Sequence, residues 1–206
     1  MPQLMLDKAA HRQAARGRSA AVNFLTTAFD SDLGWMAVAQ HDEVLAGVVF
    51  GHASKRQAVD ALEKYLVRNH ATALVDLVDL EDQPRSIRSI VARLERYAAG
   101  EPVEFGDVVI DELHLTPFGR RIVSVCRRIP RGVTQSYGEL AAQGGSPGAA
   151  RAVGQVMAKN RCPLVVPCHR VLASGGDLGG FSAPQGLAMK RRLLELEGAM
   201  SPTSAG

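Results

Sequence analysis

The stretch Ser136-Tyr137-Gly138-Glu139-Leu140-Ala141-Ala142-Gln143-Gly144-Gly145-Ser146-Pro147-Gly148-Ala149-Ala150-Arg151-Ala152-Val153-Gly154 reads as a short helix, a broken turn and a second helix. Ser136 suits an N-cap, because its hydroxyl accepts from an early backbone N–H, and the helix runs from Tyr137 to about Gln143. Gly144-Gly145-Ser146-Pro147 ends it, and the next helix spans Gly148 to about Lys159. This is the order of a helix-turn-helix, although an ordinary helical hairpin fits the pattern equally well. Helices that read base edges carry Asn, Gln, Arg or Lys into the wide major groove. Here Ala150 and Gly154 flank a single Arg151. Small side chains let a backbone approach the minor groove, ~6 Å wide, with Arg151 as a plug. The competing reading is a helix whose small residues pack against a neighbour. The Tyr137 phenol is a hydrogen-bond donor for a ligand, or simply a packed ring.

Downstream, the apolar run Leu164-Val165-Val166 leads into Pro167-Cys168-His169-Arg170-Val171. Cysteine attacks as thiolate, and a free pKa of ~8.5 leaves little of it ionised at neutral pH. His169 is an adjacent base, and Arg170 adds positive charge. Neighbours on a strand point to opposite faces, so contact between Cys168 and His169 requires a turn or a bridging water. Glu195 and Glu197 are the acidic groups placed to orient an imidazole, as in other triads. The alternative is a small buried cysteine beside a surface histidine. Cys162 lies six residues before Cys168, a spacing that fits no zinc signature, and the Pro163–Pro167 run opposes a disulfide between them. No metal site is expected. A glycine-rich loop follows (Gly175, Gly176, Gly179, Gly180), then a last helix from Gly186 to about Glu197, expected to bury Leu187, Leu193, Leu194 and Leu196.

Upstream, Thr116-Pro117-Phe118 starts a helix with Thr116 as cap and Pro117 at its first position, and Ile122, Val125, Cys126 and Ile129 form its apolar stripe. Before Leu113 the texture differs. Leu33–Ala39 and Val44–Phe50 read as a hairpin or meander around His41-Asp42-Glu43. Ser54 caps a helix through Leu66; residues 84–99 form another, with Ile87, Ile90, Val91, Leu94 and Tyr97 on one stripe and Gly100 as its stop. Val103 and Phe105–Ile110 suggest a further strand. Residues 113–206 hold twelve Lys/Arg against four Asp/Glu, whereas residues 1–112 hold twelve against seventeen. A basic half joined to an acidic half suggests a polyanionic partner, with a plain solvated surface as the alternative. No apolar run approaches the ~18–20 residues of a membrane helix, and no apolar core follows the basic residues of 1–20. No membrane association and no secretion are therefore expected. Three cysteines are too few for a disulfide framework and favour a reducing compartment.

Taken together, Ala150-Arg151-Ala152-Val153-Gly154, Asn160 and Pro167-Cys168-His169-Arg170-Val171 resemble the O6-alkylguanine-DNA alkyltransferases, the methylated-DNA–protein-cysteine methyltransferases. Ser136-Tyr137, Gly179-Gly180-Phe181-Ser182 and Leu193-Leu194-Glu195-Leu196-Glu197-Gly198 extend the resemblance over about 116–198. It implies an α/β (α+β) chain in four stretches. These are a basic extension over 1–20, a small antiparallel-sheet domain resembling ribonuclease H over 21–112, a helical, winged-helix-like domain with a helix-turn-helix over 113–200, and a tail over 201–206. The implied partner is double-stranded DNA, met through the minor groove by a monomer, with O6-alkylguanine flipped out of the stack. The implied place is the cytoplasm, on the nucleoid, in a bacterium, or the nucleus in a eukaryote.

By position, Cys168 is implied as alkyl acceptor, with His169 taking its proton through a water and Glu197 orienting that histidine. Asn160 fixes the nucleophile's turn, Tyr137 donates to a ring nitrogen of the departing guanine, and Arg151 fills the gap in the stack beside Ala150 and Gly154. The carbonyls of Cys168 and Val171 accept the exocyclic amine, the Ser182 amide meets O6, and Phe181 packs on the base. Arg170 is grouped with the DNA-binding residues. Phe181 stands where family members usually carry tyrosine, and residues 1–112 lack the cysteines of the zinc site that some members carry. The thioether product has no activated leaving group, so a single turnover follows, and without a GxGxxG or Walker loop no cofactor is expected. The assignment also predicts thiolate reactivity well below pH 8.5. A DNA-binding module without transfer and a cysteine hydrolase or redox protein are the rival classes.

Overall fold

A computed structural model describes residues 22–69 and 73–201; the extension over 1–20 and residues 202–206 lie outside the described residues. The described residues begin with three antiparallel strands, β1 (Val22–Phe29), β2 (Trp35–His41) and β3 (Val44–His52). Helix α1 (Lys55–Asn69) then crosses back to β4 (Ala73–Leu77), which pairs with β1 in parallel and completes the order β3-β2-β1-β4. Helix α2 (Arg85–Ala98) follows. The expected hairpin is β2-β3. Strand β1 was not legible because its centre carries Thr26 and Thr27, which look polar but are buried inside the sheet. Nor was β4 foreseen; it makes the sheet mixed rather than wholly antiparallel.

The two faces of the sheet have different partners. On one, Phe24, Ala37, Ala39 and Ala46 pack under Ala58, Leu62 and Leu66 of α1. On the other, Met36, Val38 and Phe50 join Ile87, Val91, Leu94 and Tyr97 of α2. That second cluster continues without a break into Ile122, Val125, Leu140, Val153, Val166, Val171 and Leu193 of the later half, so one apolar core holds both halves together. Each fully buried aliphatic side chain contributes about 1.5–3 kcal/mol.

The expected strand at 105–110 is instead an irregular strap. It touches β3 through one bridge, Leu45 with Ile110, while Val103, Phe105 and Val108 point into the core. The Arg127 guanidinium donates to the carbonyls of Phe105, Gly106 and Val108. A side chain thus satisfies acceptors that a neighbouring strand would otherwise take.

The later half contains α3 (Pro117–Cys126), α4 (Tyr137–Gln143), α5 (Ala150–Ala158) and α6 (Leu187–Leu196). Thr116 Oγ1 accepts from Gly119 N–H at 3.0 Å, with Pro117 at the first position of α3. At α4 the Ser136 hydroxyl accepts from Glu139 N–H at 3.1 Å while the Glu139 carboxylate accepts from Ser136 N–H at 2.6 Å, a closed capping box. The turn over 144–149 joins α4 to α5. Two residue pairs, β5 (Gln135–Ser136) and β6 (Val171–Leu172), run parallel and bring the start of α4 beside the segment after Cys168. On α6 the buried positions are Met189, Lys190, Leu193 and Leu194. Leu187, expected inside, is 47% exposed at the first position of the helix.

Candidate active site

Pro167 directs the chain into a single 3-10 turn, Cys168–Arg170, so Cys168 and His169 do not alternate across a strand. Arg170 N–H closes the turn on Pro167 O at 3.0 Å. The turn leaves Cys168 half-buried and sends the His169 side chain wholly inside. Asn160, just past the end of α5, braces it from three sides. Its Nδ2 donates to Val166 O at 2.8 Å and to Cys168 Sγ at 3.2 Å, and its Oδ1 accepts from Cys162 N–H at 3.1 Å.

Behind the turn lies a buried carboxylate. Glu197, at the end of α6, accepts from His169 Nε2 at 2.9 Å, from Arg170 Nε and Nη2 at 2.8 Å each, and from Tyr97 Oη at 2.6 Å. These donors hold its carboxyl far below the usual carboxylate range despite burial. Arg170 faces inward. It is 6% exposed, with its guanidinium committed to Glu197 and to Ile129 O, and this overturns its grouping with the DNA contacts. A buried guanidinium needs such a partner to offset its lost hydration.

Burial pushes the His169 imidazole below its ordinary range, against the pull of Glu197. It is neutral at neutral pH. Its Nδ1 is buried and has no hydrogen-bond partner among the described residues. The Cys168 thiol departs from expectation. Burial pushes it up, although the Asn160 N–H and the Lys190 charge act the other way, so the resting protein holds a thiol rather than a thiolate. Cys126 and Cys162 are fully buried free cysteines; burial raises the Cys126 thiol steeply and that of Cys162 to about 12.

In front of Cys168 a cavity of about 540 Å³ opens between the two halves. Val48, Phe50 and His52 of β3 line one side; Tyr137, Gly154, Phe181 and Ser182 line the other. Phe181 meets Phe50 edge-on at 6.3 Å. Tyr137 is half-buried at the start of α4, and Gly179 (φ +66°) lies so close that an added Cβ would stand 3.5 Å from the Tyr137 hydroxyl. Ser182 is exposed at the rim. Ala150 and Gly154 are partly covered on α5, while Arg151 projects from it into solvent. The structure therefore gathers Cys168, Asn160, Tyr137, Gly154, Phe181 and Ser182 around one cavity, with His169 and Glu197 behind and Arg151 outside.

Two groups were not anticipated. Lys190 is fully buried; its Nζ donates to Val171 O at 2.7 Å and to Leu178 O, and burial lowers it to about 8. Its lysine sits among the apolar positions of α6, a signal the sequence did carry. The other is Tyr97, whose place on an apolar stripe reads as simple core. Val171 O already holds the Lys190 bond, and Cys168 O accepts from Val171 N–H.

The family model for the 6-O-methylguanine DNA methyltransferase DNA-binding domain matches residues 117–199. The methylated-DNA–protein-cysteine methyltransferase of Mycolicibacterium paratuberculosis is 46% identical over 123 residues, 60% of this chain and 72% of that protein. The chain belongs to the methylated-DNA–protein-cysteine methyltransferase family. A family member from Methanopyrus kandleri is 43% identical over 116 residues, 56% of this chain and 84% of that one. Among solved structures, Mycobacterium tuberculosis OGT in complex with DNA superposes with a TM-score of 0.65 at 35% identity, covering 85% of this chain and 93% of that one. The likeness thus includes the sheet as well as the helical half.

Proposed function

We propose that this protein repairs DNA by moving an alkyl group from guanine O6 onto Cys168, once per molecule. The observation that carries the reading is a half-buried cysteine on the floor of a cavity, with a neutral imidazole behind it whose Nδ1 is uncommitted. The thiol proton passes through one bridging water to Nδ1. The sulfur attacks the alkyl carbon, a C–S bond forms, the C–O6 bond breaks, and its electron pair goes to guanine. Tyr137 supports the departing base by donating to a ring nitrogen, and the net proton moves from thiol to guanine. Because the thiol starts protonated, it ionises as the substrate is engaged rather than waiting as a thiolate.

The base reaches the cavity by leaving the helix stack, which costs a few kcal/mol. The solvent-facing Arg151 enters the space it vacates, with α5 against the minor groove and the protein acting as a monomer. DNA complexes of relatives such as Mycobacterium tuberculosis OGT support DNA as partner. The thioether has no route back, so each molecule is spent.

Intact-mass measurement after incubation with an O6-methylguanine duplex tests the reading. One methyl, mapped to Cys168, is expected, and product should stop at one equivalent of protein. Cys168→Ala should bind and stay unmodified. Continued turnover, or an adduct elsewhere, refutes the proposal.

A further inference from the structure

Tyr97 enters the Glu197 network from the other half of the chain, on the last turn of α2. It is 1% exposed. Its ring packs against Phe105, lies under the Arg131 guanidinium at 5.6 Å, and meets the His169 ring at a centroid distance of 6.5 Å. Its hydroxyl has two polar neighbours, Glu197 Oε1 at 2.6 Å and His169 Nε2 at 3.3 Å. A hydroxyl has one proton to share, and it is donated in a hydrogen bond to the ionised carboxylate. His169 Nε2 stands 2.9 Å from that same Oε1, so it must present an N–H there. In the neutral ring the lone pair then lies on Nδ1, the nitrogen without a protein partner.

Arg131 sets this geometry. It donates to Gly100 O and Glu101 O just past α2 and to Leu196 O, the residue before Glu197. One side chain thereby fixes the end of α2 against the end of α6, and with it the separation of Tyr97 and Glu197. The charged and titratable groups around His169 are Glu197 and Lys190 of α6, Arg170 of its own turn, and Tyr97 of α2, with Arg131 over the Tyr97 ring and Glu104 acting on Arg170.

We infer that Tyr97 is a positioning residue for alkyl transfer: its hydroxyl shares Glu197 Oε1 with His169 and so keeps the imidazole neutral, protonated on Nε2, with Nδ1 ready as base. The inference rests on the reading of Cys168 as alkyl acceptor. Tyr97 keeps its own proton throughout. The thiol proton rests on Nδ1 while the C–S bond forms, the imidazolium being held by Glu197, and passes on to guanine as the base departs. With the hydroxyl removed, the carboxylate turns more of its charge on Nε2–H, and His169 takes a proton at higher pH.

The test compares wild type with Tyr97→Phe, using an O6-methylguanine duplex in single-turnover reactions from pH 5 to 9. The variant's acid limb should move up by about one pH unit, leaving it about tenfold slower below that limb and converging with wild type at alkaline pH. Long-range ¹⁵N–¹H spectra should show the Nε2–H tautomer of His169 in wild type and earlier protonation in the variant. An unmoved limb with unchanged ring signals overturns the inference, as does a uniform slowing at every pH, which assigns Tyr97 to packing. Should the variant not fold, wild type decides alone. A slowly exchanging Tyr97 hydroxyl proton near the His169 ring supports the inference, and an Nδ1–H tautomer overturns it. If wild type acquires no methyl, the reading of Cys168 fails instead, while the tautomer still reports on Tyr97.

Discussion

Replacing Glu197 by glutamine keeps the size of the side chain and removes the charge on which Arg170, His169 and Tyr97 converge. One amide oxygen cannot accept from all of them, and the amide N–H₂ adds a donor where donors already crowd. Arg170 is left buried without its anion. Breaking a buried pair from one side costs about 3–5 kcal/mol, and that loss is expected in urea unfolding at pH 7. The pH dependence gives a sharper test. The folded carboxyl is depressed, so its contribution is complete above the unfolded pKa, ~4.3, and fades as pH falls toward the folded value. The gap between wild type and variant should therefore narrow by about 1.4 kcal/mol per pH unit below ~4.3. Both proteins are compared in a His169→Ala background, because Glu197 itself raises the imidazole and His169 would otherwise contribute to the difference. A loss under about 1 kcal/mol at pH 7, or a gap that stays constant down to pH 3, refutes the argument.

Other outcomes follow from the same geometry. His169→Ala should slow methyl transfer by about 10²–10⁴-fold at pH 7 in single-turnover assays, the usual range for a lost proton acceptor. Arg151→Ala, at an exposed position, should change stability by less than about 0.5 kcal/mol in thermal melts. It should slow repair of duplex DNA while leaving reaction with free O6-benzylguanine unchanged. Gly179→Ala puts a side chain on a backbone with φ +66°, at ordinary contact distance from Tyr137, and should cost about 1–2 kcal/mol of stability in thermal melts. Lys190→Met removes a buried cation that helps to lower the Cys168 thiol, so the pH at which half of Cys168 reacts with iodoacetamide should rise.

The helices were legible because their signals are local. Thr116-Pro117, the Ser136/Glu139 box and the stripe from Ile87 to Tyr97 each act within a few residues. Strands β1 and β4 and the strap over 105–110 depend on partners far along the chain. The strap ends in the β-branched run Val108-Val109-Ile110, as a strand would, yet Arg127 rather than another strand takes its carbonyls. At the site, Cys168, His169, Asn160 and Glu197 stand in spaced motifs and could be named. The direction of the thiol shift could not, because it comes from burial that only the folded chain creates. Arg170 next to a nucleophile looks like a DNA contact until its anion, 27 residues later, is placed beside it.

The deep placement of Cys126 and Cys162 has a practical corollary. Burial pushes both thiols up and leaves the two side chains at most 2% exposed. A soft electrophile added to the native protein therefore meets one address. A dye, spin label or affinity handle can be installed there on the unaltered chain, and its extent of incorporation counts how many molecules in a preparation still carry a free Cys168 thiol.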